Sequence, residues 1–166
     1  KIMALYQPVA ADLRMVVSIL KMNNDLERMG DLAANVAEYA IEISRLGAIG
    51  IPSEFRTMFT KALNMIRKAL DAVVNIDAAI AREVWLDDQA VDRLNVTILT
   101  NLRERVKVEP EHVGQLLYLI SASRSIERLA DYATNIAEDV YYLSQGKIIR
   151  HHMDEEFDGI DNPQTT

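Results

Sequence analysis

The chain of 166 residues has no cysteine, so thiolate metal sites and disulfide staples are excluded. Proline and glycine are few, at 4 and 6, and only 6% of residues are aromatic, a composition that suits packed helices better than a β-sandwich. No apolar run approaches the roughly 18 residues needed to cross a bilayer. Positive charge is also short: 18 Lys and Arg face 25 Asp and Glu, for a formal charge of −7. A nucleic-acid binder needs a basic face to neutralise phosphates, and this balance argues against one. Histidine is limited to His112, His151 and His152. None follows a motif carboxylate by three residues, the Glu-x-x-His spacing that a di-iron carboxylate oxidase places on its bundle helices. That alternative, a ferritin-like oxidase, is therefore disfavoured.

What the chain does contain is written twice. Leu26–Ala40 reads LERMGDLAANVAEYA and Ile126–Val140 reads IERLADYATNIAEDV. The copies share Glu27/Glu127, Arg28/Arg128, Asp31/Asp131, Ala33/Ala133, Asn35/Asn135, Ala37/Ala137 and Glu38/Glu138. Packing alone would repeat apolar residues, so repeated polar ones point to a function. On a helix, residues four apart turn by about 40° and rise about 6 Å, so Glu27, Asp31 and Asn35 form one polar stripe, and Glu127, Asp131 and Asn135 a second.

Four amphipathic helices are expected. The first runs from Pro8 to about Leu46, with an apolar seam at Met15, Ile19, Met22, Leu26, Met29, Ala33, Val36, Ala40 and Ile43 in alternating four- and three-residue steps. Gly47 and Gly50 end it, and Pro52-Ser53 opens the second, with Ser53 as N-cap, to about Val74. The third runs from about Ala78 to Val106, with Asp77 either capping it or lying inside a longer helix. Glu109-Pro110-Glu111 opens the fourth, which runs to about Ser144 with its seam at Leu119, Ala122, Ile126, Leu129, Ala133, Ile136, Val140 and Leu143. Residues 1–6 read as the tail of a helix whose body precedes this chain, and residues 148–166 as a loose acidic tail. The class is all-α. Residues 51–147 form one complete three-helix bundle, and residues 1–50 supply the last helix of a preceding one.

The third helix carries Asp88 and Asp92, four apart, with Asn95 beyond them. Facing the Glu127 and Asp131 stripe, these would gather four carboxylates that repel one another unless a proton or a cation neutralises them. Oxygen-only ligation suits Mg, Ca, Mn or Fe. An isolated DxxxD on a helix is usually a solvated face or an ion-pair partner for Lys or Arg. The doubled motif and the facing pair on the third helix outweigh that bland reading. Arg103, Arg105 and Lys107 are interleaved with Glu104 and Glu109 and read as structural cations near a helix C-terminus.

QPVAADLR (Gln7–Arg14), LKMNNDLERMGDLAANVAE and SIERLADYATNIAEDVYYLSQG closely resemble the PhoU family of bacterial phosphate-signalling regulators. The resemblance implies two three-helix bundles, of which this chain lacks the first two helices. It implies a second metal site at Asp88, Asp92, Glu127 and Asp131 with Asn135, and half of a first at Glu27, Asp31 and Asn35, for Fe, Mn, Mg, Ca or Zn. It further implies no catalysis. The expected role is a cytoplasmic negative regulator of the phosphate-starvation response, peripheral to the membrane without spanning it. Its partners would be the ATPase subunit of the phosphate ABC transporter and a phosphate-sensor histidine kinase. A homo-oligomer is possible in that setting, because the first helix keeps an unpaired seam.

Overall fold

The structure is a computed structural model that describes residues 11–145. Four helices account for nearly all of that span: α1 (Ala11–Leu46), α2 (Ser53–Asn75), α3 (Ala78–Val108) and α4 (Val113–Gln145), with one 3-10 turn at Pro110–His112. No strand occurs among the described residues. The expected break at Pro8, the helix tail over residues 1–6, the tail over 148–166, and His151 and His152 lie outside the described residues.

Helices α2, α3 and α4 pack against one another as a three-helix bundle, and α1 lies against α4. The junctions explain the lengths. Gly47 takes a φ of 110°, which ends α1 in a conformation that costs other residues. Pro52, and not Ser53, stands at the N-terminus of α2 without a side-chain cap; the Ser53 hydroxyl instead donates to Glu54 Oε2 at 3.2 Å. Between α2 and α3 the chain turns in two residues. Ile76 adopts a left-handed conformation, the Asp77 amide donates to the Ala72 carbonyl at 3.0 Å, and Asp77 Oδ1 then accepts from Ala79 and Ile80 at 2.8 and 3.2 Å. Asp77 therefore caps α3, and the alternative of one continuous helix falls away.

At the other end, Arg105 grips Glu109 with two bonds of 2.9 Å and donates to the Gly50 carbonyl at 2.6 Å. It ties the α1–α2 connection to the end of α3, which is the structural role expected of it.

The core sits along α4. Leu116, Leu119, Ile126, Leu129, Ile136 and Val140 are buried, and Ala122, Ala130, Ala133 and Ala137 let neighbouring backbones approach closely. Met58 and Met65 of α2 and Val84, Val91, Ile98 and Leu102 of α3 complete it without solvent exposure. The α4 seam matches the expected one.

The α1 seam does not. Ser18, Met22 and Met29 are buried, with Asp25, Leu32, Val36, Tyr39 and Ile43 half-buried. Met15, Ile19 and Leu26 instead stay 42%, 54% and 42% exposed, and Ala33 and Ala40 are exposed too. The apolar band of α1 is wider than one neighbour can cover. Only its edge toward α4 is buried, so the true contact stripe is rotated by one position at alternate steps. The two helices run antiparallel: Lys21 pairs with Asp139 at 3.2 Å, Arg28 lies over the Tyr132 ring, Tyr39 packs on Tyr118, and Gln115 donates to the Leu46 carbonyl at 3.1 Å.

Candidate metal centre

Asp88 and Asp92 sit one turn apart on α3, beside the buried Val84 and Val91, so core packing of those valines turns both carboxylates toward α4. Asp131 comes from α4 to meet them. One carboxylate oxygen from each of Asp88, Asp92 and Asp131 lies within 4.8 Å of the other two. Two oxygens on opposite sides of one Ca²⁺ are separated by about 4.6–5.2 Å, so all three are within reach of a single ion.

The electrostatics describe a crowded site. Burial, then the charges of Asp92 and Asp131, push the Asp88 carboxyl from 3.8 up to about 6; the Thr134 hydroxyl opposes the rise and Glu138 adds to it. Glu127, one turn before Asp131, is raised as well, first by burial and then by Asp131, Asp92 and Asp88. Asp88 Oδ1 is buried and has no hydrogen-bond partner among the described residues. A buried acceptor without a donor is costly, and a cation bound there would satisfy it. The donor set is oxygen only, which fits a hard or intermediate cation held by Asp88, Asp92 and Asp131, with Glu127 adding charge beside them.

The remaining sequence candidates are placed elsewhere. Asn95 leaves the stripe for the core, where its Oδ1 accepts from Ser123 at 2.7 Å. The neighbouring acids Glu83 and Asp87 of α3 are drawn away from the cluster, since both pair with Lys68 of α2 at 3.0 and 2.9 Å. Asn135 lines a polar cleft of about 260 Å³ toward α1, among Lys21, Asn24, Asp25 and Arg28. Helix arithmetic accounts for this. At about 100° per residue, Asp131, Thr134 and Glu138 fall within about 40° of Glu127, whereas Asn135 lies about 80° away. Thr134 and Glu138 were thus readable as neighbours of the site, and the i, i+4, i+8 stripe hid them.

Glu27 and Asp31 on α1 are exposed and Asn35 is half-buried. Among the described residues no further acidic group joins them in a metal-sized cluster.

A protein-family profile described as the PhoU domain matches residues 1–40 and 55–140. A phosphate-specific transport system accessory protein PhoU homolog from Pseudomonas aeruginosa is 40% identical over 152 residues, 91% of this chain and 63% of that protein. The PhoU homolog 1 of Thermotoga maritima is 32% identical over 154 residues, 92% of this chain and 66% of the relative. The chain thus spans just under two thirds of the length of these curated relatives. The crystal structure of PhoU from Pseudomonas aeruginosa superposes with a TM-score of 0.85 at 40% identity, covering 88% of this chain and 70% of that one. The phosphate transport system regulatory protein PhoU from Streptococcus pneumoniae superposes with a TM-score of 0.78 at 26% identity, over 88% and 69%.

Proposed function

The chain belongs to the PhoU family, and from that premise we propose that it is a metal-binding regulator of phosphate uptake and not an enzyme. In this reading it acts in the cytoplasm as a negative regulator of the phosphate-starvation response, linking the ATPase subunit of the phosphate ABC transporter to a sensor histidine kinase. Relatives described as accessory proteins of phosphate-specific transport support the regulatory part. No helix among the described residues is long and apolar enough to cross a membrane, which is compatible with a peripheral role.

The observation that carries the metal part is the Asp88, Asp92 and Asp131 cluster with its orphaned Asp88 Oδ1. A bound cation would offset the mutual repulsion of these acids and Glu127, and would fasten α3 to α4. Fe, Mn, Mg, Ca and Zn are all candidates for that position. An oxidase on the same bundle would call for a Glu-x-x-His pair, and His112 lies in the 3-10 turn, away from the cluster.

Metal content measured by mass spectrometry on purified protein, with Asp92→Ala and Asp131→Ala beside it, tests the site. Near-stoichiometric metal lost in both variants is expected; trace metal unchanged by either would sink it. Co-purification with the transporter ATPase and with the kinase tests the regulatory reading separately, and failure to capture both would refute it.

A further inference from the structure

Both motif copies carry an arginine; neither lies among Asp88, Asp92 and Asp131, although the charge of Arg128 acts on the neighbouring Glu127. The antiparallel packing of α1 on α4 brings these two residues to one cleft of about 430 Å³, lined by Arg28, Asp31, Leu32, Arg128 and Tyr132. Arg28 rests over the Tyr132 ring, its Cζ 6.0 Å from the centroid. Its ion pair with Asp25 is long, at 3.9 Å, and its side chain remains 64% exposed. Arg128 is exposed as well. In a chain of net charge −7, two guanidinium groups from different helices opening on one concavity reverse the local sign. Each guanidinium is a planar fork that can grip an oxyanion through two parallel N–H···O bonds. The ring contact, at cation–π range, helps hold the Arg28 guanidinium at the cleft wall.

The geometry points to a binding site for inorganic phosphate in this cleft, with Arg28 and Arg128 as the cationic clamp. Tyr132 supplies a hydroxyl donor at the wall. Asp31 selects the anion. A carboxylate repels an oxyanion that has lost all its protons, such as sulfate, but accepts a hydrogen bond from one that keeps a proton. Inorganic phosphate keeps at least one proton at neutral pH, whereas a phosphate monoester loses its last one above a pKa of about 6. The cleft lies on the α1 side of α4, while Glu127 and Asp131 face α3. The site therefore stands whether or not the carboxylate cluster holds metal.

Isothermal titration calorimetry on the purified chain at pH 7.5, at constant ionic strength and with a chelator present, tests it with inorganic phosphate, sulfate and O-phosphoserine as probes. Saturable one-to-one binding of phosphate is expected, with sulfate and the monoester at least about tenfold weaker. Arg28→Gln and Arg128→Gln should each weaken phosphate at least about tenfold, as expected for loss of a charge-assisted hydrogen bond. Lysine at either position should restore part of the affinity. Asp31→Asn should bring the phosphate-to-sulfate ratio close to one. Far-UV circular dichroism confirms that each variant stays helical. No saturable phosphate binding to the unsubstituted chain, binding indifferent to both arginine substitutions, or equal binding of all three anions would each overturn the assignment.

Discussion

Replacing Asp88 by Asn should stabilise the metal-free protein, and only above mildly acidic pH. The carboxyl of Asp88 is raised from 3.8 to about 6 by burial and by Asp92 and Asp131. A raised carboxyl means that the folded state holds its proton more tightly than the unfolded state does. Stability is then lost as pH climbs from about 4 to about 6, and the full penalty is present above that window. A shift of roughly two units corresponds to about 3 kcal/mol, and partial solvent screening reduces this to about 2 kcal/mol. Asparagine keeps the shape and removes the charge, so Asp88→Asn should recover most of this at pH 7.5. For a chain of this size, that amounts to a rise in Tm of about 4–8 °C. Thermal unfolding followed by circular dichroism in chelator, at pH 4 and at pH 7.5, gives the comparison. The two proteins should melt together at the lower pH and separate at the higher. A gain that is equal at both values, or a loss at pH 7.5, would refute the claim that crowded, poorly solvated charge strains this site.

The same proton links metal to pH: cation affinity should fall up to about tenfold per pH unit below about pH 6, because Asp88 must release its proton before ligation. Titration with Mn²⁺ at pH 5 and pH 7.5 measures this, and equal affinities would contradict it. Asp77→Ala should cost about 1 kcal/mol in urea unfolding through loss of the α3 cap. Ser123→Ala should cost about 1–3 kcal/mol, since it leaves Asn95 Oδ1 without its donor in the core.

Legibility followed the number of neighbours each helix has. Helix α4 touches all three others, so the apolar seam from Leu119 to Val140 had one solution and the sequence revealed it. Helix α1 carries apolar residues all round its seam, and Met15, Ile19 and Leu26 are chemically no different from Met22 and Met29. Only the choice of neighbour separates the exposed set from the buried one, and periodicity does not contain that choice. At the site, the approach of Asp88, Asp92 and Asp131 was readable because acids four apart share one helix face, and on α3 and α4 that face borders the apolar seam turned toward the neighbouring helix. The fate of Glu83 and Asp87 was not, since it depends on Lys68 from a helix that carries no motif. Ser53 looked like a cap because of its type, yet Pro52 fixes the backbone first and leaves the hydroxyl to Glu54.

The one-sided packing of α1 also sets an order of opening. Helices α2, α3 and α4 each rest on at least two others, and their joints are closed by Asp77 and by the Arg105–Glu109 fork. Among the described residues, α1 is held by α4 along a stripe whose buried members are Ser18, Met22 and Met29, with Gln115 fastening its end. Amide hydrogens of α1 should therefore exchange with solvent deuterium before those at the centre of α4, through an opening that leaves the bundle and its carboxylates intact. The cleft between the two arginines would come apart in that same opening, since each of its walls belongs to a different helix.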